Sequence, residues 1–127
     1  MGKRYLIDSN TLIEFTGRIL PEAIYSELSS IIDSDFNISF INKMEVLAHH
    51  TADLRWRNLI AKATIFGADD EIIDKAIEIR KNRKIKIPDA IVAATAITNE
   101  LIVITRNIAD FKNIGGLKVE NPWEWVL

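Results

Sequence analysis

The sequence contains no cysteine, and this absence removes several kinds of site at once. Disulfides, zinc–thiolate centres and thiol nucleophiles are all excluded. Long hydrophobic runs are missing as well: no stretch reaches the roughly 18–20 apolar residues of a membrane span, and the longest candidate, residues 90–96, is short and rich in alanine. A cleaved signal is not indicated either, because Asp8 interrupts the first apolar run. We therefore expect a cytoplasmic protein that does not associate with membranes.

Positive charge is not in excess. Sixteen lysines and arginines face eighteen aspartates and glutamates, so the net charge of −2 gives no global field that would attract nucleic acid. Residues 80–86 are locally basic, with five cations in seven positions. Such a run is most often a solvated helix end. Because it comes just before Asp89, attraction of a phosphate group stays open as the alternative.

The hydrophobic pattern alternates between two kinds of element. Residues 4–7, 36–41, 101–105 and 117–119 read as strands, and the run at 101–105 is typical of a central parallel strand. Helical spacing follows Pro21, Asn42, Leu54, Asp70 and Pro88. Alternating strands and helices predict a parallel sheet covered on both faces. We expect one α/β domain over residues 1–127, a three-layer sandwich with a mostly parallel central sheet flanked by helices.

Four carboxylates stand where an apolar segment meets the start of a helical segment: Asp8, Glu45, Asp89 and Asp110. In a parallel sheet these positions gather at one edge, so side chains distant in sequence would meet in one acidic pocket. Clustered carboxylates raise one another's pKa unless a cation offsets the repulsion. Oxygen ligands of this kind favour Mg²⁺ or Mn²⁺, which can activate water and hold a phosphate.

Each carboxylate also has a purely structural explanation. Asp8 could cap the following helix, and Glu45 stands three residues after Asn42, the spacing of a capping box. Asp89 follows Pro88 in a first turn, where negative charge favours the helix dipole. Asp110 could belong to a loop or a single helical turn. The four together are harder to explain in this way than any one alone.

Three segments carry a family resemblance: YLIDSN at residues 5–10, IPDAIVAATA at residues 87–96 and VITRNIADF at residues 103–111. With Glu45 early in a helix, they resemble the PIN domain, and most closely the VapC-type toxins of toxin–antitoxin pairs. The resemblance implies an Mg²⁺- or Mn²⁺-dependent endoribonuclease whose metal ligands and catalytic residues are Asp8, Glu45, Asp89 and Asp110. It also implies that Thr105, Arg106 and Asn107 line the site, with Arg106 a phosphate contact. A homodimer and an inhibitory antitoxin protein are the implied partners, beside the RNA substrate.

The sequence departs from the family pattern at two glycines. One glycine is missing shortly after Glu45, and another is missing before the strand at residues 101–105. We expect Asn99 to take the left-handed conformation that the second glycine would adopt.

Several alternatives remain. Haloacid-dehalogenase-type phosphatases carry a second aspartate where this chain has Asn10, and receiver domains need a pair of acids and a late lysine that are not found here. An RNA-maturation nuclease of the same family is the nearest rival, and a non-catalytic binding module is the third. Glu14 reads as an exposed helix residue, with a contact to the pocket or to a basic group of a partner as the alternative. Trp123 is expected to pack on the domain or on a neighbouring subunit.

Overall fold

Five short strands form the centre of the molecule. The computed structural model describes residues 2–127. The strands are β1 (Tyr5–Ile7), β2 (Asn37–Ser39), β3 (Thr64–Phe66), β4 (Ile102–Ile104) and β5 (Val119–Glu120). They pair in parallel in the orders β1-β4-β5 and β2-β3. A side chain connects the two groups, because the Asn37 amide donates to the backbone oxygen of Tyr5 at 3.0 Å.

Six α-helices and two 3₁₀ turns surround the strands. The helices are α1 (Ser9–Thr16), α2 (Glu22–Ser34), α3 (Phe40–Leu47), α4 (Leu54–Ile60), α5 (Asp70–Asn82) and α6 (Ile87–Thr98). The 3₁₀ turns are Ile108–Phe111 and Pro122–Glu124. No helix over residues 2–127 is long and apolar enough to cross a membrane.

Alternating residues of the central strands separate the core into two layers. Leu6 and Val103 pack with α5 and α6, whereas Ile7 and Ile104 pack with α1, α2, α3 and α4. This division follows from the two-residue period of a strand, which sends successive side chains to opposite faces. The predicted α/β sandwich with helices on both faces of a parallel sheet is therefore confirmed.

The middle of helix α6 is buried in the protein, whereas its first two residues are exposed. Ala90, Ala93, Ala94 and Ala96 are all fully buried, as expected for a helix that is apolar nearly all round. Small side chains let α6 approach the sheet closely. Its first turn, which carries Asp89, is thereby held beside the end of β1.

The sequence misplaced some element bounds. Strand β2 ends at Ser39, so α3 begins at Phe40 rather than at Asn42. Strand β3 was not predicted, because its three residues are too short to show a period. Asn99 is not left-handed, with φ −109°; Glu100 takes that conformation instead, with φ 56°. The reason is that Leu101 donates to the Ala96 oxygen, a closure that puts the left-handed residue at position 100.

Candidate active site

Asp8 is a buried carboxylate at the carboxyl end of β1. It is 8% exposed, and it makes no capping hydrogen bond to α1. One of its oxygens accepts from the Asn42 amide at 3.0 Å, and the other accepts from the Thr105 hydroxyl at 2.9 Å. Burial raises the pKa of Asp8, and the charge of Glu45 adds to this rise, whereas the hydrogen bonds from Thr105, Ser9 and Asn42 oppose it. The side chain is therefore fixed by uncharged donors, and the capping explanation does not apply.

Glu45 is held by the turn that follows β1. The Ser9 hydroxyl donates to its carboxylate at 2.6 Å, and the same hydroxyl accepts from the Asn42 amide at 3.0 Å. The capping box of α3 uses Ser39 and Asn42, not Glu45. The shift arises because α3 begins two residues earlier than the sequence indicated. Glu45 is thus free of a capping role and faces Ser9, the neighbour of Asp8.

The pKa of Asp89 is raised by the charges of the other three carboxylates. Burial, followed by the charges of Asp110, Asp8 and Glu45, raises the pKa of Asp89 to about 6, against a partial opposing effect of Lys86. Its position in the first turn of α6 would favour a negative charge, whereas burial and the neighbouring carboxylates disfavour one. The structure therefore brings the four predicted carboxylates into one electrostatically coupled group.

Asp110 lies on the exposed 3₁₀ turn Ile108–Phe111 that follows β4. The Asp110 amide donates to the Asn107 oxygen at 3.1 Å, which closes the turn. Phe111, 2% exposed, anchors the turn in the core. The exposed carboxylate therefore rests on a fixed backbone rather than on a loose loop.

The donor set suits a hard divalent cation. It consists of carboxylate oxygens around one acidic pocket, the ligand type that Mg²⁺ and Mn²⁺ prefer. Within residues 2–127, no three acidic or histidine side chains are close enough to enclose an ion by themselves. Mg²⁺ is usually held by one or two carboxylates, with water and substrate phosphate completing the shell. The raised pKa values of Asp8 and Asp89 describe carboxylates whose repulsion a cation would relieve.

Thr105 and Asn10 form the support beneath Asp8. Thr105 is completely buried; its hydroxyl donates to Asp8 and accepts from the Asn10 amide at 3.0 Å. Asn10 also accepts from the Arg106 backbone amide at 3.1 Å. Thr105 therefore positions Asp8 from below and presents no surface to a substrate, unlike the exposed Arg106 and Asn107.

Glu14 was misjudged as an exposed helix residue. It is 6% exposed, forms an ion pair with Arg106 and accepts from the Trp123 indole at 3.1 Å. Trp123 therefore contacts the domain itself, which was one of the two predicted alternatives; the other was a neighbouring subunit. The ion pair fixes the half-exposed guanidinium of Arg106 at the rim of the site.

The basic run borders the acidic pocket. A cleft of about 440 Å³, which we call the basic cleft, is lined by Arg80, Arg83, Lys84, Ile85, Lys86, Asp89, Ala109 and Asp110. Two of the four site carboxylates therefore share a wall with four cations. The sequence placed these cations before Asp89 but could not show that the 3₁₀ turn carrying Asp110 closes the opposite side.

Sequence reasoning missed the residues that hold the carboxylates: Ser9, Asn10 and Asn42. Their signal was a cluster of short polar side chains directly after two buried strands, which the sequence presents only as capping residues. Polar groups buried at a strand end need partners, and here the partners are the site carboxylates and Thr105.

Comparison with known proteins identifies the family. The PIN domain model matches residues 5–117. The chain belongs to the PIN domain family. Among solved structures, this PIN domain is similar to a chain of a toxin–antitoxin complex from Klebsiella pneumoniae, with 30% identity and a TM-score of 0.77, covering 95% of this chain and 99% of that one.

Two further structures share the fold. A chain of DNA-bound VapBC from Salmonella typhimurium has 22% identity and a TM-score of 0.73, and a chain of FitAcB from Neisseria gonorrhoeae has 24% identity and a TM-score of 0.75. Each comparison covers 95% of this chain and 99% of the other. A search of curated protein sequences found no significant match.

Proposed function

We propose that this PIN domain is an Mg²⁺- or Mn²⁺-dependent endoribonuclease that hydrolyses RNA phosphodiester bonds. The observation that carries the proposal is the coupling of four carboxylates at one sheet edge, with the pKa of Asp89 raised to about 6. Helix capping does not explain this arrangement, because neither the Asp8 nor the Glu45 side chain makes a capping hydrogen bond. Repelling carboxylates persist in a fold when their function needs them.

Asp8, Glu45, Asp89 and Asp110 would hold the metal directly or through its water molecules, since no three acidic side chains of the described residues are close enough to enclose it by themselves. When bound, the metal would supply a water molecule of lowered pKa and neutralise charge on the scissile phosphate. The chain's own contribution is orientation: Thr105 and Asn42 fix Asp8, and Ser9 fixes Glu45. No covalent enzyme intermediate is expected, since water activated by the metal would be the nucleophile.

Arg106 and Asn107 are the proposed substrate contacts. Both are exposed at the end of β4, and the Arg106 guanidinium is tied to Glu14 on one side only. A guanidinium held in this way suits a phosphate oxygen. Thr105 was also predicted to line the site. Its hydroxyl accepts from the Asn107 backbone amide at 3.2 Å, so its proposed role is to position Asn107.

We further propose that the protein is the toxin of a toxin–antitoxin pair and acts in the cytoplasm as a homodimer. The support is that similar chains occur in complexes described as toxin–antitoxin, VapBC and FitAcB. An RNA-maturation nuclease would use the same site chemistry, so growth separates the two. Induced expression of the wild type, but not of Asp8→Asn, should arrest bacterial growth, and co-expression of a small neighbouring gene product should restore it.

Cleavage by the purified protein tests the chemistry. We expect RNA fragments with Mn²⁺, none with EDTA, and none from Asp8→Asn at equal folded concentration. Asp74→Asn, which changes an exposed carboxylate of α5, should cleave like the wild type. Metal-independent cleavage, or full activity of Asp8→Asn, would refute the proposal. Absence of both cleavage and metal binding would favour a non-catalytic binding module.

A further inference from the structure

The basic cleft is lined by four cations and two carboxylates, so positive charge is in excess there. Within residues 2–127, none of Arg80, Arg83, Lys84 and Lys86 forms a salt bridge; the five salt bridges use other cations. The chain as a whole carries a charge of −2. A concentration of unpaired positive charge in such a protein is a local feature that calls for a polyanion.

The cleft is built rather than formed by mobile surface lysines. The Arg80 side chain donates to the Ile85 oxygen at 3.1 Å, which folds the connection between α5 and α6 back on itself. Arg83 donates to the Lys112 oxygen and ties this connection to the end of the 3₁₀ turn that carries Asp110. The buried Ile85 forms the floor. These two arginine–carbonyl hydrogen bonds fix the connection between α5 and α6. The exposed Lys84 and Lys86 therefore project from an ordered backbone.

The cleft opens directly onto the proposed site of cleavage. Asp89 and Asp110 line it together with the four cations. A phosphate chain held at the carboxylates would continue into this positive charge, because the cations lie beside Asp89 and Asp110 and offset the repulsion there. The lining residues include no aromatic side chain among those described, so bases would find no surface for stacking.

We propose that the basic cleft binds the RNA backbone next to the scissile bond through its phosphates, without reading the bases. This inference rests on the proposed function and adds where the flanking strand lies and how it is held. Contacts of this kind set register and affinity but carry no sequence information. Any base preference must then come from another part of the surface.

Salt dependence measures these contacts. For single strands, each neutralised phosphate contributes about 0.7 to the slope of log affinity against log salt. Binding is measured by fluorescence anisotropy with labelled oligouridylate and oligoadenylate, in Asp8→Asn protein with Mg²⁺ so that the probe is not cut. We expect Lys84→Gln/Lys86→Gln in this background to reduce the slope by about 1.4. Raising salt from about 50 to about 200 mM should then weaken binding about sevenfold less than in the parent.

The matched control changes one lysine of the same basic run and one lysine elsewhere on the surface. Lys81 is exposed on α5 but does not line the cleft, and Lys62 is exposed after α4. Lys62→Gln/Lys81→Gln removes the same charge and should leave the slope unchanged. An equal reduction of the slope in this control would overturn the inference, since the effect would then reflect net charge alone.

The remaining outcomes separate the two proposals. If Asp8→Asn protein binds RNA and the cleft variant keeps its slope, the inference is wrong and the proposed function stands. If Asp8→Asn protein binds neither probe at low salt, both fail. A large difference in affinity between the two probes that disappears in the cleft variant would overturn the claim that bases are not read. Displacement by oligoglutamate as effective as by unlabelled RNA would instead assign the cleft to an acidic peptide.

Discussion

Asp89→Asn should stabilise the metal-free protein while abolishing cleavage. The folded state raises the pKa of this carboxyl from 3.8 to about 6. Between these values the folded protein binds more protons than the unfolded chain, so the free energy of unfolding falls as pH rises through this window and stays lower above it. Asparagine mimics the protonated carboxyl in size and does not titrate. The variant therefore keeps the free energy of unfolding that the wild type loses as pH rises.

The size of the gain follows from the pKa. A shift of about two units corresponds to about 3 kcal/mol without screening. Asp89 is only partly buried, and solvent reduces such interactions strongly. We expect the variant to be more stable by about 1 kcal/mol at pH 7.5, with almost no difference near pH 4.

Urea denaturation in EDTA, repeated at intervals from pH 4 to pH 8, measures the difference. Asp74→Asn, at an exposed position, is the control and should stay within about 0.5 kcal/mol of the wild type at every pH. Adding Mn²⁺ should raise the melting temperature of the wild type more than that of Asp89→Asn, because a ligand that binds the native state stabilises it. A variant no more stable than the wild type at pH 7.5, with no change across the range, would refute the coupling of the carboxylates.

Two further changes test the supports of the site, and a third tests the turn between α6 and β4. Thr105→Val should lower the free energy of unfolding, measured with urea, by about 1–3 kcal/mol, because it leaves buried partners unsatisfied. It should also lower kcat more than it raises KM. Thr105→Ser should restore both stability and kcat, and a failure to do so would argue against a role of the hydroxyl. Glu14→Gln should lower the free energy of unfolding by about 1–2 kcal/mol. This is less than for a fully buried ion pair, because Arg106 is half exposed. An unchanged urea midpoint would contradict a stabilising ion pair. Glu100→Gly should raise stability by up to about 1 kcal/mol, since φ 56° strains a side-chain-bearing residue; a lower midpoint would show that the strain is absent.

The carboxylates could be located from sequence because they follow local signals. Asp8 comes directly after a short apolar strand, and Asp89 follows a proline that opens a helix. Parallel strands then place such residues at one edge whatever the details of packing. This is why the positions were predictable although the exact bounds of β2 and α3 were not.

The supporting residues could not be located in this way, because their partners are far away in the chain. Glu14 is buried by Arg106 and Trp123, which are 92 and 109 residues distant. An amphipathic pattern predicts which face of α1 is apolar, but it cannot show that a late loop and the C-terminal segment cover a glutamate on that helix. The same holds for Glu45: its spacing of three from Asn42 allowed a capping box as the structural alternative, whereas its observed partner, Ser9, is 36 residues away.

Net charge was the least informative property of this sequence. A value of −2 argues against nucleic acid only if charge is spread evenly, and here the structure separates it. Carboxylates gather after β1 and β4, in the second half of α3 and in the first turn of α6, while cations without salt bridges gather at the connection that leads into α6. An acidic pocket alone would repel RNA, and a basic cleft alone would bind it without positioning a bond. A nuclease needs both side by side, so the arrangement of charge along one sheet edge, rather than its sum, is what connects this fold to the proposed activity.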